Sequence, residues 1–348
     1  MFDRLLVSLV VAALPVTAVA VDPPAIVVRE FIAGDLPTPS CHASTIVEAA
    51  PGRLVAAWFG GTDEGADDVG IFVSHREGNE WSRPVEVATG SGADGDRQPC
   101  WNPVLWRRPD GLLVLSYKVG TSPQTWHGLE RRSHDGGRTW DEPRRLSRPG
   151  TTVTGGPVGP VKNKPVVAAD GTILAPSSSE DDGWRVHVER STDGGDSWEI
   201  VGPLNDGRAI AAIQPALLTM GDGSLLALGR TRSGRIFRTA SRDGGRTWSP
   251  LELTDLPNPS SGIDAVTLHD GRHLLVSNPV DRGRTPLVVA LSRDGVDWRP
   301  VGTLEDDPGE YSYPAIIESA DGRVHVTYTW RRRRIGHVVI DPAALPAD

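Results

Sequence analysis

The stretch that decides the fold is SHDGGRTW, residues 133–140. It recurs as STDGGDSW (191–198) and SRDGGRTW (241–248), and weaker copies are SHREGNEW (74–81) and SRDGVDW (292–298). In this unit the Asp carboxylate can accept hydrogen bonds from backbone N–H groups, and the glycines permit positive φ. The Trp is a large apolar anchor for the next strand. These repeated turns therefore indicate a repeat architecture, and we assign them a folding role and not a catalytic one.

A second repeat has a longer period and consists of an apolar run, a turn ending in Gly, and another apolar run. The turn glycines are Gly52, Gly111, Gly171, Gly223, Gly271 and Gly322. Asp-Gly or Pro-Gly between β-rich runs is typical of a β-hairpin. The Asp turns fall in the second half of every unit except the last. Four strands in each of six units predict an all-β fold, a six-bladed β-propeller.

The ring of a propeller needs a closing strand, and the last unit lacks its Asp turn. We expect Ile26–Phe31 to close the ring beside that unit. A circularly closed propeller is one domain, which we assign to residues 21–348. Residues 1–20 read as a secretory signal with a short apolar run and an Ala-Val-Ala cleavage site, so we expect export to a periplasm or beyond. The alternative is an uncleaved membrane anchor.

The charge balance limits the partners. A formal net charge of −9 argues against a nucleic-acid partner and gives no sign of a membrane-surface protein. It leaves room for an anionic substrate held in a local basic pocket. The sequence has no zinc-ligand spacing, phosphate loop or nucleotide fingerprint, so we expect no cofactor and no metal.

Inner strands surround the channel of a propeller, and loops at one end form its site. Counting back from the hairpin glycines aligns these strands. Eleven residues before the glycine lie Cys41, Cys100 and Tyr311; ten before lie His42, Trp101 and Ser312; nine before lie Asn102, Gln214 and Tyr313; the third unit offers Lys162, Asn163 and Lys164. This predicts a channel mouth ringed by polar, aromatic and cationic groups. The alternatives are a polar plug holding water and, for the two cysteines, either a disulfide or free thiols.

The Asp turns and the inner-strand residues together resemble the sialidase superfamily, in particular its Asp-box, BNR-repeat branch of bacterial exo-sialidase-like proteins. The resemblance covers roughly residues 26–341. It implies six blades, Asp boxes on the face away from the active site, and release of terminal acidic sugars from glycans, with sialic acid as the default.

Exo-sialidases hold the substrate carboxylate with three arginines, because a guanidinium fork matches a carboxylate. The resemblance places the second arginine at Arg230, in LLALGRTR, and the third at Arg284, in SNPVDRGRTPL. The first position corresponds to His42, in CHAST. The expected triad of arginines is therefore incomplete.

The family also uses a Tyr nucleophile activated by a Glu. The resemblance places this nucleophile at Tyr311, with Tyr313 next to it, and the Glu position is occupied by Gln214, which cannot take a proton. For the acid/base carboxylate the loop GGTDEGADDVGIF offers Glu64, Asp67 and Asp68, of which we favour Asp68.

Other residues have two interpretations each. Lys162 and Lys164 either bind an acidic sugar or form salt bridges, and Trp126 and Trp184 either stack on a sugar or pack. His187 and Glu189 share one strand face, which points to the site or to solvent. The arginine run 331–334 is either a solvated turn or a basic rim.

Three functions fit these residues. The first is an exported hydrolase of terminal acidic sugars, with Tyr311 as nucleophile, Asp68 as acid/base, and Arg230 and Arg284 on the carboxylate. The second is a lyase on uronic-acid polysaccharides, with His42 and Tyr311 as acid and base, since propellers of this kind are known to host such activity. The third is a non-catalytic carbohydrate-binding propeller. All three predict an acidic glycan as partner.

Overall fold

The computed structural model describes residues 25–91, 96–146 and 156–346. Within these ranges the regular structure is β, apart from a short 3₁₀ turn at Pro342–Ala344. No helix in the described part of the chain is long and apolar enough to cross a lipid bilayer. The predicted signal at 1–20 lies outside the described residues.

The strands form six antiparallel sheets arranged as the six blades of a propeller, which confirms the predicted fold. Blade one contains β2 (Ser40–Ala50), β3 (Arg53–Gly61), β4 (Gly70–Glu77), β5 (Glu80–Trp81) and β6 (Val85–Ala88). Blade two contains β7 (Cys100–Arg107), β8 (Leu113–Val119), β9 (His127–Ser133) and β10 (Arg144–Arg145). Blade three contains β11 (Val166–Val167), β12 (Ile173–Ser179), β13 (Arg185–Ser191) and β14 (Glu199–Val201).

Blade four contains β15 (Ala212–Thr219), β16 (Leu225–Thr231), β17 (Arg235–Ser241) and β18 (Glu252–Pro257). Blade five contains β19 (Asp264–Thr267), β20 (His273–Ser277), β21 (Leu287–Ser292) and β22 (Arg299–Glu305). Blade six contains β23 (Tyr311–Glu318), β24 (Val324–Trp330), β25 (Arg334–Ile340) and, from the other end of the chain, β1 (Ile26–Phe31).

The ring closes as the sequence predicted, because β1 pairs antiparallel with β25 as the outer strand of blade six. Glu30 lies opposite His337 in this pairing. Inner strands of neighbouring blades pack on one another, with β2 between β7 and β23 and with β15 between β12 and β19. The hydrophobic cores therefore lie between the blades.

Each SxDGGxxW turn is fastened by its own polar side chains. The Ser133 hydroxyl donates to Asp135 Oδ1 (2.8 Å) and accepts from the Gly137 N–H (2.7 Å). The Asp135 carboxylate also accepts from the N–H groups of Arg138 (3.0 Å) and Thr139 (2.9 Å). The turns at 191–198 and 241–248 repeat these contacts. Where the chain reverses, each Asp carboxylate thus accepts the backbone N–H hydrogen bonds that a neighbouring strand would otherwise accept.

These turns also lock adjacent blades. The Trp198 ring of blade three meets Trp106 of blade two edge-to-face, with ring centroids 6.0 Å apart. In the same turn the Asp196 carboxylate accepts from Arg108 at 2.9 Å. The turn unit therefore has the folding role that its composition indicated.

The inner strands share one irregularity that prepares the site. The residue nine positions before the turn glycine has positive φ in five blades: Ala43 (53°), Asn102 (40°), Lys162 (76°), Gln214 (56°) and Tyr313 (50°). The pairing register of the inner hairpin shifts at this point in blades one, two, four and six. A left-handed residue costs energy unless its surroundings hold it, and it breaks the alternation of side chains along a strand. This bend therefore redirects the five side chains relative to the rest of their strands.

Candidate functional site

Tyr313 lies at the centre of a cluster of cationic and aromatic side chains at the channel mouth. Its ring centroid is 4.3 Å from that of His42. The guanidinium carbons of Arg230 and Arg284 lie 5.5 and 5.8 Å from the Tyr313 centroid. Blades one, four, five and six each contribute one of these side chains, so the site depends on the closed ring.

A third arginine joins this cluster, and it comes from the run at 331–334. The Cys41 N–H donates to the Arg332 carbonyl (2.9 Å), which ties the turn after β24 to the start of β2. The Arg332 guanidinium donates to Glu310 (3.1 Å) and also bonds Glu64. Arg284 donates to the same Glu310 carboxylate at 2.8 Å. One carboxylate therefore orients two of the three guanidinium groups.

No sequence pattern singles Arg332 out from its three neighbours. In the structure Arg331 and Arg332 both have positive φ, 51° and 56°, so the two consecutive side chains leave the turn in different directions. Arg331, the preceding residue, instead contacts Trp330 and Tyr311. The run is thus neither a uniformly solvated turn nor a uniform rim.

His42 is buried among these charges. Its side chain is 2% exposed, and burial together with Arg332, Arg284, Arg230 and Lys162 pushes its pKa well below the ordinary value. The imidazole is therefore neutral at neutral pH. Its Nδ1 has no hydrogen-bond partner among the described residues.

Gln214 occupies the position in blade four that is equivalent to Tyr313 in blade six, and like His42 it is buried. Its Oε1 lacks a hydrogen-bond partner within the described ranges, as Nδ1 of His42 does. Buried polar atoms are normally satisfied, so two unsatisfied ones at the channel mouth mark a place for a polar ligand or water.

Arg230 connects the centre of the cluster to its rim. It is 8% exposed, its Nη1 donates to the Ser260 carbonyl (2.8 Å), and its Nε has no partner in the described structure. Its guanidinium carbon lies 5.1 Å from the Trp184 ring, and that of Arg232 lies 4.3 Å from the same ring. Trp184 is thus partly buried beneath two cations.

Glu180 follows β12 beside this group and was missed in the sequence. Burial raises its pKa above the ordinary value, against the opposing charges of Arg230 and Arg232. A carboxyl group with a raised pKa near a cation cluster can hold a proton at mildly acidic pH. It is a candidate general acid.

The ring of Tyr311, the expected nucleophile, contacts Trp330 and Arg331, while its backbone N–H donates to the Arg284 carbonyl (3.1 Å). It is 1% exposed and packs in the same core as Leu287 and Tyr328, and its hydroxyl accepts from Arg331 at 3.0 Å. Cys41 and Cys100, which align with Tyr311, are likewise buried in interblade cores. The bend at Tyr313 separates the contacts of the two tyrosines: the Tyr313 ring lies against His42, Arg230 and Arg284, whereas Tyr311, two residues earlier, packs among core residues.

Asp68, the expected acid/base, fastens its own loop. Its exposed carboxylate accepts from the Thr62 N–H (2.9 Å) and hydroxyl (2.6 Å), and these bonds lower its pKa. Asp67 is exposed, and the carboxylate of this loop that reaches the arginines is Glu64. Among the described residues the hydrogen bonds of the Asp68 carboxylate are to Thr62 and not to Tyr313.

Trp101 and Asn102 are buried on the blade-two side of the mouth. The Trp101 Nε1 donates to the Gly120 carbonyl (2.8 Å), and its ring lies against Gly65 and packs on Trp126. Trp101 therefore supports the loop that carries Glu64, and Trp126 is a packing residue.

The two channel lysines tie blades together. The Lys162 ammonium, from blade three, donates to the carbonyls of Ile263 (2.5 Å) and Pro314 in blades five and six, and burial lowers its pKa to about 7. Lys164 forms an ion pair with Asp264 of blade five at 3.0 Å. These contacts favour a structural role over substrate binding for both lysines.

His187 and Glu189 face the interior and neither the site nor solvent. The Glu189 carboxylate accepts from the N–H groups of Val158 (2.7 Å) and Gly159 (2.9 Å).

Cys41 and Cys100 are both free thiols, and burial raises the pKa of each to about 12. In the described part of the chain no group of three or more His, Cys, Asp or Glu side chains is arranged to hold a metal ion.

The fold and this cluster define a propeller of known type. Residues 52–326 match the BNR repeat-like domain, and the chain belongs to this family. It is a sialidase-like member of the BNR superfamily.

Two relatives of this chain are sialidases. The chain is 26% identical over 284 residues to a sialidase of Bacteroides fragilis, covering 75% of this chain and 47% of the relative. It is 28% identical over 260 residues to a sialidase of Micromonospora viridifaciens, covering 62% and 38%. The chain thus spans less than half the length of these curated relatives. Among solved structures, a Hadza microbial sialidase superposes with a TM-score of 0.74 at 18% identity, covering 89% of this chain and 67% of the other, a likeness of fold alone.

Proposed function

We propose that this protein binds the terminal acidic sugar of a glycan and hydrolyses its glycosidic bond, with sialic acid as the default sugar. The observation that carries the proposal is the contact between Tyr313 and His42, with Arg230 and Arg284 beside Tyr313 and with Arg332 among the cations around His42. In a chain of net charge −9, this concentration of positive charge favours an anionic ligand. The similarity to sialidases supports the same substrate class.

In the binding step the three guanidinium groups hold the sugar carboxylate. A guanidinium fork pairs with a carboxylate through two parallel N–H···O bonds. Glu310 holds Arg284 and Arg332 in place before the ligand binds. Binding therefore costs little additional side-chain conformational entropy. Arg332 thereby supplies the third guanidinium group that the family would have at the position of His42.

In the chemical step the Tyr313 oxygen attacks the anomeric carbon as the glycosidic C–O bond breaks. The neutral His42 takes the phenolic proton, since Gln214 cannot, and protonated Glu180 gives a proton to the departing oxygen. Water then attacks the anomeric carbon as the Tyr313–sugar bond breaks: its OH stays on the sugar, its other proton passes to Glu180, and His42 returns its proton to the Tyr313 oxygen. A phenol is a suitable nucleophile here because it is neutral and is not repelled by the carboxylate.

The neutral, unpartnered His42 beside Tyr313 favours a second candidate, elimination on a uronic-acid glycan. Here His42 takes the proton at C5, Tyr313 gives a proton to the departing oxygen, and the arginines neutralise the uronate. This reaction needs no carboxylate at Gln214.

Mass spectrometry of the products separates the two reactions. The purified protein is incubated with sialosides, uronate oligosaccharides and other acidic glycans. Products with one added water support the hydrolase, and an unsaturated uronate without added water supports the lyase. Intact glycans throughout would refute both. We also propose export, from the leader expected at 1–20, and sequencing of the exported protein should then begin at Val21.

A further inference from the structure

Two arginines share one indole at the rim of the site. The guanidinium carbons of Arg230 and Arg232 lie 5.1 and 4.3 Å from the Trp184 ring centroid, so they are at most about 9 Å apart. Neither makes an ion pair with a carboxylate within 4.0 Å in the described part of the chain. Many other arginines of this acidic protein do, such as Arg108 with Asp196.

Two cations this close repel each other, and the repulsion is strongest where burial lowers the effective dielectric constant. Arg230 is 8% exposed, and its buried Nε has no hydrogen-bond partner within the described residues. Glu180 is the neighbouring carboxyl, but in the described residues it forms no ion pair within 4.0 Å with either arginine, and burial raises its pKa. The pair therefore has positive charge and free donors in excess of what the protein satisfies.

Arg232 is exposed, yet the Trp184 ring fixes its orientation. Stacking uses the flat face of a guanidinium and leaves the N–H groups at its edge free to donate. Trp184 thus holds the exposed Arg232 guanidinium near Arg230, where its free N–H groups can pair with an oxyanion.

We propose that Arg232 and Trp184 form a second anion-binding position, which takes a carboxylate or a sulfate ester on the sugar next to the one held at Tyr313. The inference rests on the proposed function, because it assumes an acidic sugar at the centre. It makes the preferred ligand a glycan with acid groups on two neighbouring sugars.

Binding calorimetry tests this in a Tyr313→Phe background, which keeps the ring and prevents turnover. The probes are 3′-sialyllactose, with one acid group, α2,8-disialyllactose, with two carboxylates, and 3′-sialyllactose sulfated on the next sugar. The variants are Arg232→Gln and Arg232→Lys. Arg53→Gln, an exposed arginine at the far end of the blade-one hairpin, is the matched control.

We expect the parent to bind at least one doubly charged probe more tightly than 3′-sialyllactose. Arg232→Gln should weaken that probe about fivefold and leave 3′-sialyllactose unchanged, as expected for one partly exposed charge-assisted contact. Arg232→Lys should restore only part of the loss, and Arg53→Gln should change nothing. Whichever doubly charged probe responds identifies the second group as carboxylate or sulfate.

Equal binding of all probes, or an Arg232→Gln effect of the same size on all of them, would overturn the second position while leaving the central site intact. If the parent binds none of the three, the proposed function fails for sialosides, and the inference drawn from it fails too.

Discussion

Acid should weaken the protein where the ring closes, through a buried pair of histidines. His325 Nδ1 and His337 Nε2 lie 3.1 Å apart, and the two rings are stacked with centroids at 5.3 Å. His337 Nδ1 contacts Glu30 of β1 at 2.9 Å, and His325 Nε2 contacts the Ser319 hydroxyl at 3.1 Å. Since the two nitrogens face each other, one must be unprotonated for the bond to form.

The magnitude follows from the pKa of His325. Burial first, and then His337, lowers this pKa from 6.5 to about 4, while Asp321 and Glu30 oppose the change and Arg76 adds to it. The unfolded chain therefore binds a proton between pH 6.5 and 4 that the folded chain does not. Stability is complete above pH 6.5 and falls as the pH drops toward 4. Between pH 7 and pH 5 the loss due to His325 is about 2 kcal/mol.

Urea unfolding at pH 7 and pH 5 measures this loss. His325→Gln should lower stability at pH 7, because it breaks the contacts to His337 and Ser319, but it should reduce the fall between the two pH values by about 2 kcal/mol. His134→Gln, at a histidine whose side chain is 74% exposed, is the control and should keep the parent's pH dependence.

The reasoning would be refuted by a His325→Gln variant that loses as much stability between pH 7 and pH 5 as the parent does. The acid lability would then belong to other groups, such as His127, whose pKa burial lowers to about 4.

Three further predictions concern the site. Arg332→Gln should lower kcat/KM on the acidic substrate about 10- to 100-fold, as expected for one charge-assisted pair, whereas Arg331→Gln should not; equal effects would contradict the assignment. Glu180→Gln should remove the alkaline fall in kcat/KM, because a donor with a raised pKa works only while protonated; a pH–rate profile that keeps this limb would exclude Glu180 as the donor. Gly262→Ala should cost about 1 kcal/mol in thermal unfolding, because its Cβ would meet Lys162 Cε at 3.2 Å and Tyr313 Cδ2 at 3.4 Å, whereas Gly221→Ala, with open space around it, should cost less.

The architecture could be predicted because it is set by local signals that repeat. Six hairpin glycines and the Asp turns determine the number of blades, and the missing last turn pointed to Ile26–Phe31 as the closing strand. Such signals depend on backbone freedom and short-range hydrogen bonds, which the sequence displays directly.

The site was harder to predict because one backbone angle decides which side chains reach it. Counting back from the glycines found the channel residues, but Tyr311 and Tyr313 differ only in their place relative to the bend at φ +50°. An ordinary strand would point both side chains to the same face. Glu180 was missed, and Arg332 was not singled out from its run, because both enter from turns, where the sequence pattern carries no direction.

The structural roles of Lys162 and Lys164 were also not predictable from the sequence. Both come from the inner region of blade three, as the alignment of inner strands indicated, but the sequence cannot show that their ammonium groups reach carbonyls and a carboxylate on blades five and six. Long-range pairing of this kind depends on the closed ring.

The central claim is that Tyr313, and not Tyr311, performs the chemistry. The most direct measurement compares product formation by Tyr313→Phe and Tyr311→Phe on an acidic glycan that the parent cleaves, with urea unfolding to confirm that both are folded. We expect Tyr313→Phe to lose at least about 100-fold in kcat and Tyr311→Phe to stay within a few-fold of the parent. A folded Tyr313→Phe variant with full activity, beside an inactive Tyr311→Phe, would contradict the account.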